Sequence, residues 1–111
     1  MTTKHSGMIQ DNLRVFQRAK GLAAVVYRNL PKNAGLRDQV KRSALSVGAN
    51  IAEGCTMTGA MRAKYYRIAR GSAVETAAHY ELAEAIGEDV PVAEVRREAA
   101  AVAAMLTKMI G

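Results

Sequence analysis

The chemistry most visible in this sequence belongs to its cations. Residues 1–72 hold 13 Lys and Arg against 3 Asp and Glu, while residues 73–111 hold 3 against 7. So uneven a split predicts one basic face and one neutral or acidic face. Arg14 and Arg18 sit in the first quarter of the chain, Arg37, Lys41 and Arg42 in the second, and Arg62, Lys64, Arg67 and Arg70 just past the middle. Between Ala60 and Val74 there is no acid at all. A line of cations without interleaved carboxylates suits a phosphate backbone, because release of condensed counterions drives such binding. Tyr65 and Tyr66 supply rings that could stack on single-stranded bases. Neighbouring helical positions diverge by about 100°, so at least one of the two is expected inside the fold.

The remaining reactive side chains form no catalytic set. Asn50 and Glu53 lie three apart and share one helical face, where they are expected to satisfy backbone or Arg donors across the molecule. Glu75 is expected to pair with Arg67 or Arg70 in the same way. A carboxylate can act as a base, but no partner stands at a useful spacing. His5 and His79 have no second His or Cys at metal-ligand spacing. His5 is expected in a flexible tail, and His79 at a surface or interface. Cys55 has no His nearby and reads as a small packing residue. Gly54 and Gly59 are not followed by the Lys-Ser/Thr of a phosphate loop. Met105 and Met109 read as core filler. No enzyme, no metal and no cofactor are expected.

Four helices must position these residues. The first is expected from about Asp11, as N-cap, to Leu30, with an apolar stripe of Leu13, Phe16, Ala19, Ala23, Val26 and Leu30. Pro31 stops it, and 32–35 form a turn. The second runs from about Leu36 to the region of Gly54 on Leu36, Val40, Ala44, Val47 and Ile51. Gly48 within it allows a neighbouring helix to come close. Residues 54–59 read as a break. The third, about Ala60 to Ile86, shows Ile68, Ser72, Thr76, Leu82, Ala83 and Ile86, flanked by Tyr65 and Tyr80. Gly87 fits a C-cap and Pro91 the first turn of the next helix. The fourth runs from about Pro91 to Met109, with a seam of Val92, Val95, Ala99, Val102, Leu106 and Met109. Short links predict an all-α, antiparallel up-down-up-down bundle.

The chain has 111 residues, half of them hydrophobic, with one Phe and no Trp. Good helix formers dominate, and no alternating β-branched run of strand length occurs. One domain over 11–111 is expected behind a flexible tail of 1–10. Its core is small enough that self-association would add useful stability. The opening residues are polar and lack the apolar stretch of a signal peptide. No run approaches the roughly 20 apolar residues that span a bilayer. A single cysteine allows no internal disulfide. A soluble, cytoplasmic protein without a membrane partner is expected.

Two stretches are more specific than periodicity. They are Ser46-Val47-Gly48-Ala49-Asn50-Ile51-Ala52-Glu53-Gly54 and Arg67-Ile68-Ala69-Arg70-Gly71-Ser72-Ala73-Val74-Glu75. With the opening Leu13-Arg14-Val15-Phe16-Gln17-Arg18-Ala19 and the lead-in Leu36 to Ala44, they resemble the four helix bundle protein family. That family includes proteins encoded in 23S ribosomal RNA intervening sequences and the accessory variability determinants of diversity-generating retroelements. The resemblance spans nearly the whole chain, with Asn50 to Gly54 its sharpest match and Asn50, Glu53, Gly54 and Glu75 its structural motif residues. The chain departs from the pattern at Gly48, where Pro is common, and at Cys55, where an aromatic is common. The loop after the first helix is short, and Arg62 and Lys64 stand where an acid is usual. The resemblance implies a homopentameric ring. In the retroelement members the ring is basic, binds nucleic acid and associates with a reverse transcriptase.

Sequence reasoning therefore gives one leading expectation and one rival. The first is a homo-oligomer that binds RNA or DNA with little sequence readout, as an accessory to a reverse transcriptase. The second is a scaffold of the intervening-sequence type whose basic face docks an acidic protein.

Overall fold

The computed structural model describes the backbone of residues 3–111 and the side chains from residue 10 onward. It contains four helices: α1 (Thr3–Arg28), α2 (Ala34–Cys55), α3 (Gly59–Ala85) and α4 (Val92–Ile110). No strand occurs among the described residues. Each helix packs on two others: α1 and α3 both lie against α2 and α4, while α1 and α3 sit diagonally and touch through side chains that reach across the interior, Asn12 to Tyr66 and Tyr80 to Val26. The result is a rod of 54 × 20 × 19 Å.

The helix ends follow from local chemistry. Asn33 caps α2, its side-chain oxygen accepting from the Leu36 amide at 3.0 Å. Gly87, at φ +93°, closes α3 as expected. The Glu88 amide donates to the Ala83 carbonyl and the Gly87 amide to the Glu84 carbonyl, a left-handed C-terminal turn that favours glycine. Pro91 is the N-cap of α4 rather than a first-turn residue. Asp11 does not cap α1. The helix begins upstream at Thr3, and Asp11 sits inside it, 3.5 Å from Arg14. Of the expected tail, residues 1 and 2 and the side chains of 3–9, His5 among them, lie outside the described residues.

Buried aliphatic residues hold the rod together, each contributing roughly 1.5–3 kcal/mol. The seams expected for α2 and α4 are buried at Val40, Ala44, Val47 and Ile51, and at Val92, Val95, Ala99, Val102 and Leu106. The other two differ. On α1 the buried row is Asn12, Val15, Ala19, Leu22 and Val26, whereas Leu13 is 57% exposed. On α3 the core faces are Tyr66, Ala69, Ala73, Thr76, Tyr80 and Ala83, while Ile68, Leu82 and Ile86 face solvent. The physical reason is common to both. Each helix carries a second apolar row about one position away from the first, and large side chains drew the sequence reading to it. The small residues Ala69, Ala73 and Ala83 let α3 come close enough for two tyrosines to fill the interior.

Polar pairs cross the α2/α3 contact in order. Ser43 meets Thr76 at 2.7 Å and Ser46 meets Ser72 at 2.9 Å. Further down, Gly54 rests on the Tyr66 ring. The α1–α2 and α3–α4 turns meet at the other end of the rod, where the Glu88 carboxylate accepts from the backbone amides of Lys32 and Asn33.

Candidate nucleic-acid interface

The motif residue Gly54 is fixed by contact with α3. A methyl group there would lie 2.7 Å from Cε1 and 2.8 Å from Cδ1 of Tyr66. Tyr66 is 1% exposed, and its hydroxyl accepts from the Asn12 amide at 2.8 Å. The same amide donates to the Ile51 carbonyl at 3.2 Å. This ties α1, α2 and α3 at one level and sets the register of α3. The pair of tyrosines thus divides: Tyr66 is core and unavailable for stacking, while Tyr65 is half-buried beside Gly54.

Asn50 and Glu53 do not bridge the bundle. Asn50 donates to the carbonyl and hydroxyl of Ser46, one turn back in its own helix. Glu53 is exposed, and its side chain reaches no donor on another helix among the described residues. The group that accepts an Arg across the helices is instead the Gly54 carbonyl, 3.3 Å from Arg62 Nε. Glu75 pairs with neither Arg67 nor Arg70. Its carboxylate lies 3.3 Å from His79 Nε2, a turn further along α3 and away from the cations. Side chains that point around a helix meet their own neighbours first unless packing turns them inward.

The expected basic set separates into two groups at opposite ends of the rod. Arg37, Lys41 and Arg42 occupy the start of α2, next to the Glu88 turn. Arg37 donates to the carbonyls of Pro31 and Lys32, and so belongs to the turn's own architecture. Arg42 lies 3.8 Å from Asp38. Arg18, in mid α1, lies 3.5 Å from Glu98. The adjoining stretch of α3, residues 71–85, carries three Glu and no Lys or Arg. Those cations stand among carboxylates.

The second group surrounds the Gly54 end. Lys64 and Arg67 are exposed on the outer side of α3. Arg70, on the α4 side of the same helix, donates to the Thr107 hydroxyl at 3.1 Å. Lys108, in the last turn of α4, and Arg14 of α1 line one cleft of about 200 Å³ with Asp11, Met105 and Met109. Cations from three helices therefore run around the end of α4. Against them stand only Asp11, in an exposed pair with Arg14 that solvent screens heavily, and Glu53. Arg62 lies beside them, held to the Gly54 carbonyl.

The comparisons with known proteins can be set against this geometry. The family model for 23S rRNA-intervening sequence proteins matches residues 11–108. The chain belongs to that family. A search of curated proteins finds no match. Among solved structures, it is similar to a crystal structure of a protein of unknown function from the S23 ribosomal protein family of Bacteroides thetaiotaomicron. The TM-score is 0.65 at 21% identity, covering 97% of this chain and 98% of the other, and the likeness is one of fold.

For this intervening-sequence protein, sequence reasoning missed Lys108. Its helix was read as a packing seam, and the seam is there. A single cation on the opposite face of an Ala-rich helix gives no run to notice, and only the packing of α4 between α1 and α3 brings it beside Arg14. Asn12 was missed for a similar reason, since an isolated Asn gives no sign that it is buried. Among the described residues, no three of His, Cys, Asp and Glu gather into a metal-binding group. No helix there is long and apolar enough to cross a membrane. Cys55 is exposed rather than packed, because α2 ends at that residue.

Proposed function

We propose that this intervening-sequence protein is a non-enzymatic, cytoplasmic, nucleic-acid-binding homo-oligomer that holds RNA or DNA at the Gly54 end of an up-down-up-down bundle. The observation that carries the reading is the sorting of cations. Lys64, Arg67, Arg70, Lys108 and Arg14 converge from three helices, while the acids gather toward the other end. Phosphates would be bound by charge with little base readout. The homopentameric ring and the reverse transcriptase partner implied by the resemblance belong to the same reading.

Retention on single-stranded RNA and DNA tests it. Affinity is expected to fall linearly with salt on a double-logarithmic plot, with a slope of about 0.7–0.9 per phosphate engaged. No retention at low salt, or retention indifferent to salt, would sink the proposal. An acidic protein captured in place of nucleic acid, and not displaced by it, would favour the scaffold role instead.

A further inference from the structure

Beyond the basic end, two apolar surfaces lie open among the described residues, and they differ in kind. One is a groove of about 300 Å³ between α1 and α2. Ala23, Gly48, Ala49 and Ala52 keep it shallow, Phe16 and Leu45 form its walls, and Lys20 is its one charged lining residue. Leu45 stands 56% exposed at its rim. The other is a ridge on α3, whose Val74 and Ala78 also form one wall of a cleft of about 250 Å³ against Ala99, Ala100 and Ala103 of α4. Val74, Ala78, Leu82 and Ile86 succeed one another at every fourth position, and all four are exposed. Such a row is the shape that packs between two helices. The groove lies on the α1/α2 side of the rod and the ridge beside the α3/α4 cleft on the other, so the two cannot meet within one chain.

Charge complements shape. From 12 to 28, α1 carries four cations and no acid. From 71 to 85, α3 carries Glu75, Glu81 and Glu84 and no Lys or Arg, and Arg96 of α4, which lines the cleft beside this row, lies 3.4 Å from Glu81, so the face stays acidic in balance. Two grooves brought together would oppose like with like on the α1/α2 side, whereas groove against ridge sets Lys20 and its neighbours toward the glutamates. Opposite fields of this sort fix orientation and partner.

We infer that the α1/α2 groove of one chain takes the Val74–Ala78–Leu82–Ile86 ridge of a second copy. The contact joins two unlike patches, so a pair still offers one free groove, on one copy, and one free ridge, on the other. Such head-to-tail contacts close into rings or grow into chains and do not stop at a two-fold dimer. This rests on the self-association in the proposed function and assigns the surfaces that make it.

The test uses two single variants of the full chain, Leu45→Glu in the groove and Leu82→Glu on the ridge. Both sites are exposed in the single chain, so helicity and melting serve as the folding control. Multi-angle light scattering on nucleic-acid-free protein should find the wild type as a multi-chain species. Each variant alone should fall to the mass of one chain, 11.9 kDa. An equimolar mixture should recover a two-chain species and nothing larger, because one intact groove and one intact ridge remain. A monomeric wild type would overturn self-association itself. An oligomeric wild type with unaffected variants would overturn only the surfaces assigned here. Dissociated variants that fail to pair on mixing would overturn the groove-to-ridge geometry. Losing nucleic-acid binding while the mixture still pairs would leave this inference standing and remove the binding role alone.

Discussion

The two ends of this rod are built from similar residues and put them to different use. At the Glu88 end, cations are absorbed into structure. Arg37 closes the α1–α2 turn through two carbonyls, and Glu88 ties that turn to the next through backbone amides. At the Gly54 end the tie that joins three helices is neutral, made by the Asn12 amide, the Tyr66 hydroxyl and the Ile51 carbonyl, and Arg62 and Arg70 add bonds to the Gly54 carbonyl and the Thr107 hydroxyl. A neutral tie leaves the surrounding cations, Lys64 and Arg67 above all, facing solution. Charge in a sequence is left open to solvent only where the fold has not already used it.

Reversing charge at one end and then the other is the strongest way to break this comparison. Lys64→Glu with Arg67→Glu is expected to flatten the salt dependence of nucleic-acid binding by about two phosphate contacts, a slope change of roughly 1.4–1.8. Lys41→Glu with Arg42→Glu, at the Glu88 end, should leave the slope near the wild-type value. Equal losses from both pairs, read by fluorescence anisotropy across a salt series, would erase the distinction between the ends.

Next in size is Gly54→Ala. Its methyl group would displace the buried Tyr66 ring from Asn12, and overpacking of this kind costs roughly 1–3 kcal/mol. Urea denaturation measures it, and a loss below the error of that measurement would mean that the ring adapts freely.

Tyr80 gives a smaller effect at the Glu88 side. Its buried hydroxyl donates to the Val26 carbonyl at 3.2 Å and the Asn29 carbonyl at 2.9 Å, and burial pushes its pKa up to about 12. The unfolded chain ionises this group near pH 10. A raised folded pKa means the stabilisation is fully present below about pH 10 and is lost as pH climbs through about 12. Tyr80→Phe should therefore cost about 1 kcal/mol at neutral pH. That difference in melting temperature should narrow in alkali, and a constant difference up to pH 12 would contradict the assignment.

The smallest effect concerns Glu88, whose pKa is lowered first by the amides of Lys32 and Asn33 and then by the charges of Lys32 and Arg37. A depressed carboxyl pKa contributes stability above the ordinary carboxylate range and loses it as pH falls through the folded value. Glu88→Gln should flatten the acid side of the melting-temperature profile slightly. Solvent around this half-buried side chain screens the interaction and keeps the change small.

Much of the fold was legible from residue order. Two of four seams are as their periodicity says, and Gly87 ends α3 where a left-handed residue is needed. The misreadings on α1 and α3 share a cause. Leu13, Ile68, Leu82 and Ile86 are large and correctly spaced, so they resemble a core, while Asn12, Ala69 and Ala73 do not. A helix with two apolar rows cannot report from its own residues which row faces inward. That choice depends on the fit against its neighbours. The excess of cations was legible in composition; its division between the two ends was not, because cations that share a sign in the sequence are separated by the length of the rod.

The sequence by itself determined the family, through Asn50 to Gly54 and the stretch after Arg67, along with the number of helices and the excess of positive charge. These are local or additive properties, and residue identity suffices for them. Helix packing, and not residue order, places Arg37 in a turn and Lys108 beside Arg14, buries Tyr66, and sets the α1/α2 groove and the α3 ridge on different sides. Those depend on which helix lies beside which, and at what level. That register is set by the close approach of Gly54 to Tyr66 and by the bond from Asn12.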